Sequence, residues 1–234
     1  MTRMNEFGQP IGDLLAEGWA PPLSPPPRVL EGERVRVEPI DPARHADDLF
    51  EANRLDQSGE GWTYLAYGPF EDSVAYRTWL DTACLGADPM FWAYVDTATG
   101  KAVGLGSFLR IDPGSGVIEV GHIRFSPMLQ RTPHATESMY LKMKYVFDLG
   151  YRRYEWKCDA LNAPSRRAAE RYGFKFEGIF RQATHYRGRN RDTAWFSIID
   201  SEWPGVRAAH EAWLDPANFD GQGVQRQPLS HFMP

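Results

Sequence analysis

The chain has 234 residues, of which 42% are apolar and 24% are charged, a composition typical of a globular protein rather than a disordered one. Its formal net charge of -5 argues against broad binding to nucleic acid or to a membrane, so neither is expected as a partner. Two cysteines, Cys84 and Cys158, are too few for a disulfide scaffold or, unaided, for a structural zinc site. We therefore expect a reduced, cytoplasmic protein without a metal.

The first 30 residues differ from the rest of the chain in their proline content. Prolines stand at positions 10, 21, 22, 25, 26 and 27, and proline lacks the N–H donor that helices and sheets need. We predict an extended arm over residues 1–30, a folded domain over 31–203, and a helix and tail over 204–234. The N-terminus has no apolar run of the kind that directs export, which again favours a cytoplasmic location.

Hydrophobic periodicity predicts the order of the elements, since alternation indicates strands and spacings of three or four indicate helices. In chain order the pattern predicts a strand at 35–37, helices beginning near 42 and 73, strands at 91–95, 102–111 and 117–125, a helix ending before Gly150, a strand at 154–158, a short helix from Asn162 to Gly173, strands at 174–183 and 194–199, and a helix to about 214. This order predicts a mixed sheet with helices on its faces, an α/β or α+β architecture.

The loop after the strand at 117–125 is a candidate ligand site. Thr132 can cap the next helix, and Pro133 suits the first helical position. The free N–H groups and the dipole of a helix N-terminus bind phosphate well. Arg131 and the hydroxyls of Thr132 and Thr136 would add to that binding. Taken alone, however, these residues favour an ordinary capped helix over a ligand site.

Two longer motifs carry a resemblance to a known family. The first comprises Glu119-Val-Gly-His, Ser126-Pro and His134-Ala-Thr-Glu, and the second is Asp159-Ala-Leu-Asn-Ala-Pro-Ser-Arg-Arg-Ala-Ala-Glu-Arg-Tyr-Gly-Phe. Over about residues 33–200 the chain resembles the GCN5-related N-acetyltransferase (GNAT) superfamily, and within it the ribosomal-protein alanine acetyltransferase-like branch. The resemblance implies a mixed, mostly antiparallel central sheet flanked by helices. It also implies an enzyme that transfers the acetyl group of acetyl-CoA to a primary amine by direct attack.

The resemblance further implies a set of site residues. The expected acetyl-CoA contacts are Ile123, Arg124, Phe125, Gln130, Arg131, Thr132, His134, Ala135, Thr136, Asn162, Ser165 and Arg166. The candidates for the catalytic base are Glu119, which aligns with an acidic strand residue of several relatives, and His122, whose usual pKa suits proton transfer near neutral pH. A structural role is the alternative for both. Trp62, Tyr64 and Tyr67 are expected to form a wall of the acceptor pocket, with core packing as their alternative.

The chain departs from the family pattern at two positions. Pro133 stands where the phosphate loop of relatives has its first glycine, which removes one N–H group and predicts weaker or altered CoA binding. Many relatives place a tyrosine general acid four residues before the glycine of the second motif, and here that position is Ala169. Tyr172 is interpreted as a core residue. We therefore expect the CoA thiolate to leave unprotonated or to take its proton from water.

The sequence leaves the acceptor and the oligomeric state open. The acceptor is a small molecule or a protein N-terminus, and a homodimer is possible. One rival interpretation is a catalytically weak or inactive CoA-binding module of the same fold. Another is an RNA-associated protein that uses the hairpin arginines 181, 187, 189 and 191, although the acidic total charge favours a solvated turn.

Overall fold

The structure, a computed structural model, describes residues 3–234, so residues 1 and 2 of the predicted arm lie outside the described part. The strands are β1 (Arg3–Met4), β2 (Pro10–Ile11), β3 (Leu30–Glu31), β4 (Val35–Pro39), β5 (Met90–Asp96), β6 (Ala102–Asp112), β7 (Val117–Phe125), β8 (Arg153–Asp159), β9 (Lys175–Tyr186) and β10 (Arg189–Ile199). The α-helices are α1 (Pro42–Arg54), α2 (Ser73–Ala83), α3 (Pro133–Asp148), α4 (Ala163–Arg171) and α5 (Trp203–Leu214). Short 3-10 turns lie at Glu60–Trp62, Pro216–Asn218 and Leu229–His231.

The central sheet has the order β3-β4-β5-β6-β7-β8-β10-β9. Its neighbouring strands are antiparallel, except that β7 and β8 are parallel. The long connection through α3 makes this parallel pair possible, because parallel neighbours cannot be joined by a tight turn. The predicted mixed, mostly antiparallel sheet flanked by helices is confirmed.

Helices cover the sheet from both sides, as the alternation along β5 shows. Phe91 and Ala93 pack into the cluster formed with α1 and α2. Trp92 and Tyr94 pack into the cluster formed with α3, α4 and α5. Successive side chains of a strand point to opposite faces, so the sheet lies between two helical layers and has a core on each side.

Three helices begin at the N-caps that the sequence predicts or allows. The side chains of Asp41, Thr132 and Asn162 accept from the backbone N–H groups of the residues two or three positions later. Each is followed within two residues by a proline, which is tolerated there because the first N–H groups of a helix have no internal acceptor. The structure adds the short strands β1, β2 and β3, which are too brief to leave a periodic signal.

The arm runs across the end of α3 that lies far from Thr132. The indole of Trp19 donates to the carbonyl of Gly150 at 3.2 Å. The hydroxyls of Tyr145 and Tyr151 donate to the carbonyls of Pro26 and Leu23, at 2.5 and 3.2 Å. Proline-rich backbone has carbonyls without matching donors nearby, and these side chains satisfy some of them.

Within residues 3–234 no helix is both long and apolar enough to cross a bilayer. The same part of the chain brings together no group of three or more His, Cys, Asp or Glu side chains that could hold a metal ion.

Candidate active site

The site lies where β7 and β8 stop pairing with each other. The two strands pair from Val117 with Arg153 to Val120 with Trp156, and beyond that register they have no further pairs. Residues 121–125 of β7 thus present an edge that no strand of residues 3–234 occupies. A β-bulge lies here: Gly121 pairs with Ser107 and Arg124 with Leu105, which leaves two residues of β7 opposite one of β6. Open backbone groups at such an edge are available to a ligand.

A cleft of about 1660 Å³ follows this gap across the molecule. At one end it is lined by Tyr64, Tyr67, Arg110, Glu119, Phe180 and Trp195. At the other end it is lined by Thr132, Pro133, Arg167, Arg171, Trp213 and Phe219. The first group surrounds the predicted base, and we call it the acceptor end. The second group surrounds the start of α3, and we call it the phosphate end.

Glu119 is a buried carboxylate with one engaged and one open oxygen. Its Oε2 accepts from Arg110 Nη1 at 2.7 Å and lies 2.9 Å from Lys157 Nζ. Its Oε1 has no hydrogen-bond partner among residues 3–234 and lies beside Gly121, where the gap opens. Burial raises the pKa of Glu119, and the charges of Lys157 and Arg110 oppose that rise. The open oxygen can therefore accept a proton inside the cleft.

His122 occupies the bulge with a left-handed backbone, at φ 52°. Its ring is stacked on Tyr67, and its Nδ1 lies 3.1 Å from the Tyr67 hydroxyl. Burial, with a smaller contribution from nearby cations of which Arg110 is the first, lowers the pKa of His122 to about 4. Neutral His122 is thus a weak base and is held in place by its aromatic neighbour.

The loop from β7 to α3 leaves backbone donors pointing away from protein acceptors. Leu129 and Gln130 donate to the carbonyl of Ser126, while Arg131 adopts a left-handed conformation at φ 60°. Among residues 3–234, the N–H groups of Arg131, Thr132 and His134 have no acceptor. Such a loop at a helix N-terminus fits a phosphate group.

The phosphate end also collects arginines without carboxylate partners. Arg131, Arg167 and Arg171 line the cleft, and none of them forms an ion pair within the described residues. Arg171 donates to the Thr136 hydroxyl at 3.1 Å and lies over the rings of Tyr172 and Trp213. In a chain of net charge -5, this local excess of positive charge favours an anionic ligand.

Most of the sequence-predicted contacts lie together in this cleft. The wall includes, of the predicted set, Tyr64, Tyr67, Glu119, His122, Ile123, Arg124, Phe125, Gln130, Arg131, Thr132, Ala135, Thr136, Asn162 and Ser165. Asn162 also caps α4, and the Ser165 hydroxyl accepts from the Trp156 indole at 3.0 Å. The two Nη atoms of Arg124 are engaged by the carbonyl of Phe125 and by Asp56, at 3.0 and 2.9 Å.

Three predicted residues lie outside the cleft wall. Trp62 is 3% exposed and packs beneath the Arg124 guanidinium. The His134 ring turns toward Asp96, at 3.4 Å. Arg166 lies over the Phe176 ring. In each case a neighbour that is distant in sequence directs the side chain away from the cleft.

Other cleft residues were not predicted from the sequence. Arg110 and Lys157 hold Glu119, and they come from the strands on either side of β7. The C-terminal segment closes the phosphate end with Trp213, Phe219 and residues 223–225. Their positions depend on how α5 packs on α3, and nothing local in the sequence indicates it. Tyr172 is buried as predicted, and so is Ala169.

Comparisons with known proteins agree with this geometry. Residues 34–175 match the family model of the acetyltransferase (GNAT) domain. A solved GCN5-related N-acetyltransferase from Brucella melitensis is 49% identical, with a TM-score of 0.90 over 93% of this chain and 99% of that one. A probable GNAT-family acetyltransferase from Chromobacterium violaceum is 41% identical, with a TM-score of 0.77 over 84% of this chain and 99% of that one.

A more distant structure shares the fold alone. It is an acetyltransferase from Salmonella typhimurium that modifies the N-terminal serine of ribosomal protein L7/L12, and it is 17% identical with a TM-score of 0.59 over 74% of this chain and 99% of that one. Among curated proteins, none matches the chain. The family model covers more than half of the chain, and two solved structures of this family are 49% and 41% identical to it. The chain therefore belongs to the GNAT family of acetyltransferases.

Proposed function

We propose that the protein transfers the acetyl group of acetyl-CoA to a primary amine, on a small molecule or a protein N-terminus, with Glu119 as the general base. The observation that carries the proposal is the open Oε1 of Glu119 beside Gly121, at the point where β7 loses its partner strand. A buried carboxylate, an open strand edge and a loop with free N–H groups share one cleft, and this supports the proposal.

The donor set of the cleft fits acetyl-CoA, the co-substrate of the GNAT family. The backbone N–H groups of Arg131 and Thr132 would hold the pyrophosphate together with that of His134, whose ring points away from the cleft. Arg167 and Arg171 would supply countercharge. Asn162 and Ser165 lie beside the gap, where the pantetheine arm would run. When bound, the co-substrate supplies the acetyl group as a thioester. The open edge at residues 121–125 would then donate a backbone N–H to the oxyanion that develops there.

The choice of Glu119 over His122 rests on their environments. A general base works best when its pKa lies near the working pH. Burial moves the pKa of Glu119 upward, toward neutrality, whereas it moves that of His122 down to about 4. His122 also has one nitrogen committed to Tyr67. We assign His122 the role of shaping the acceptor pocket.

The proton and bond balance of the transfer is simple. The amine nitrogen forms a bond to the acetyl carbon, the carbon–sulfur bond breaks, and Glu119 takes the amine proton directly or through a water. At the family's usual general-acid position this chain has the buried methyl group of Ala169, which cannot donate a proton. The thiolate accordingly leaves as such or takes a proton from water.

The test is acetyl-CoA consumption against a panel of primary amines, with Glu119→Gln as the key variant. We expect wild-type turnover with at least one amine and a loss of about 100- to 10,000-fold in kcat for the variant, with an unchanged Kd for CoA. The matched control is Glu51→Gln, which removes an exposed carboxylate on α1 and should leave both values unchanged. CoA binding without turnover on any amine would instead favour the catalytically inactive, CoA-binding module.

A further inference from the structure

One cation at the acceptor end has no partner. Arg191 of β10 lines the cleft, and its buried Nε has no hydrogen-bond acceptor. No ion pair within residues 3–234 includes this side chain. Burying a guanidinium donor without an acceptor is unfavourable, so the position indicates a ligand oxygen that the protein itself does not supply.

The carboxylates near Arg191 are already engaged by other donors. Asp159 accepts from the Leu161 N–H at 2.8 Å and from the Tyr186 hydroxyl at 2.9 Å. Asp192 accepts from the Gln182 N–H at 2.8 Å and lies 3.2 Å from the Asn190 amide. Neither aspartate holds Arg191.

Two other cations at this end are engaged, and a third, Arg181 of β9, has no ion pair within residues 3–234 but is exposed to solvent. Arg110 and Lys157 both contact Glu119, and Lys157 also contacts Glu155 at 2.7 Å. Arg191 is therefore a half-buried positive group in this part of the cleft that remains open to an incoming anion. On the same strand the indole Nε1 of Trp195 is a second buried donor without an acceptor. Both donors line the wall past which an acceptor would reach Glu119.

The hairpin that carries Arg191 also closes the acceptor end. At its tip, Arg187 donates to the carbonyl of Tyr67 at 2.8 Å and to that of Gly68. These carbonyls belong to the segment between α1 and α2 that supplies Tyr64 and Tyr67 to the opposite wall. The hairpin is thus tied across the cleft, and an acceptor held inside it lies against the Arg191 wall.

We propose that the acceptor is an amine that carries a carboxylate, and that Arg191 binds this carboxylate while the amine faces Glu119. The inference rests on the proposed function, because it names the acceptor class of the same site. An amino-acid-like small molecule and a protein N-terminus with an acidic neighbouring side chain both have this chemistry. A guanidinium binds carboxylate through charge-assisted, often paired hydrogen bonds.

The test compares matched acceptors that differ only in charge. In the small-molecule arm the probes are 4-aminobutyrate, glutamate and β-alanine. Each is compared with the analogue in which a carboxamide replaces the carboxylate. In the peptide arm the probe is a tetrapeptide amide with glutamate at its second position, against the glutamine version. We expect kcat/KM to favour the carboxylate member by about 10- to 100-fold in at least one pair. The arm that shows the larger preference identifies the source of the carboxylate.

Substitutions of Arg191 test whether this residue causes the preference for carboxylate acceptors. Arg191→Gln should bring the carboxylate-to-amide ratio close to one, and Arg191→Lys should restore part of it, because the charge returns without the paired geometry. The control is Arg189→Gln, which removes an exposed arginine of the same hairpin outside the cleft wall and should leave the ratio unchanged. Equal rates for both members of every pair, or a ratio that Arg191→Gln leaves unchanged, would overturn the proposal.

A binding measurement separates this inference from the proposed function. The N-acetylated carboxylate probe, titrated calorimetrically into the protein without acetyl-CoA, should bind at least tenfold more tightly to the wild type than to Arg191→Gln, while the Kd of CoA stays the same. Loss of CoA affinity in Arg191→Gln with no change for the acetylated probe would assign Arg191 to CoA and contradict the proposal. Absence of turnover on all amines, with the binding difference intact, would overturn the proposed function alone.

Discussion

At the scale of single residues, the account depends on how neighbours tune one carboxylate. Glu119 is buried, yet it stands between a largely exposed arginine, Arg110, and a buried lysine, Lys157. Burial raises its pKa and the two cations oppose the rise, so the balance between burial and these two charges sets its strength as a base.

Removing Arg110 should shift the acid limb of the pH–rate profile upward. In Arg110→Gln the carboxylate loses a positive charge that favours its ionised form, so its pKa rises. Because the Arg110 side chain is 62% exposed, we expect the acid limb of the pH profile of kcat/KM to move by only about 0.5–1 pH unit. Arg54→Gln, at an exposed arginine of α1, is the control. An acid limb that stays in place or moves to lower pH would remove Glu119 from the base role.

Replacing Pro133 should change ligand affinity and stability in opposite directions. Pro133→Gly restores one N–H between those of Thr132 and His134, which could strengthen CoA binding by about 1.5–3 kcal/mol. The added backbone freedom should lower stability by about 0.4–1 kcal/mol. Calorimetry with CoA and thermal melting measure the two effects. Pro204→Gly, in the first turn of α5, should lower stability without changing CoA affinity. Weaker CoA binding by Pro133→Gly would mean that the proline itself shapes the loop.

At the scale of elements, α3 joins the ligand loop to the far edge of the sheet. Its buried Glu137 accepts the N–H groups of Glu33, Arg34 and Val35, at 3.1, 2.8 and 2.9 Å. These donors belong to the end of the turn between β3 and β4 and to the first residue of β4. Glu137, which follows Thr136 in the first family motif, thus has a structural role.

Loss of the Glu137 carboxylate should destabilise the fold and leave acetyl transfer unchanged. Glu137→Ala leaves three N–H groups without their acceptor, and we expect the free energy of unfolding to fall by about 3 kcal/mol. Chemical denaturation measures it. Glu51→Ala, at an exposed glutamate of α1, should change stability by less than about 0.5 kcal/mol. A Glu137→Ala variant as stable as the wild type would show that water replaces the carboxylate fully.

The same helix buries a lysine against the sheet. Lys142 Nζ has no hydrogen-bond partner and lies over the Phe108 ring at 4.3 Å. Complete burial lowers the pKa of Lys142 well below its ordinary value. Between that lowered pKa and the ordinary one, the unfolded chain binds a proton that the folded chain does not, so wild-type stability rises with pH in this window.

Lys142→Met should therefore stabilise the protein most at the lower end of that window. We expect the gain to shrink as the pH rises from 7 toward 10, by up to about 1.4 kcal/mol per pH unit. Lys144→Met, at a half-exposed position of α3, should give no such trend. A gain that is independent of pH would show that Lys142 keeps its proton in the folded state.

At the scale of the whole molecule, the sequence was informative wherever the signal is local. Helix caps such as Thr132 and Asn162, and the alternation within β7, are read from a few neighbouring residues. Side-chain direction was not predictable in the same way, since Trp62 is covered by Arg124 and His134 is turned by Asp96. The closure of the phosphate end by Phe219 depends on chain packing across the entire fold.

The measurement that tests the central claim most directly is a calorimetric titration of the protein with CoA. The account predicts saturable one-to-one binding that weakens about tenfold in Arg167→Gln, because that exposed arginine lines the phosphate end without a carboxylate partner among residues 3–234. Arg189→Gln, outside the cleft wall, should bind CoA as the wild type does. Absence of binding at millimolar CoA, or equal affinity in all three proteins, would contradict the placement of acetyl-CoA in this cleft.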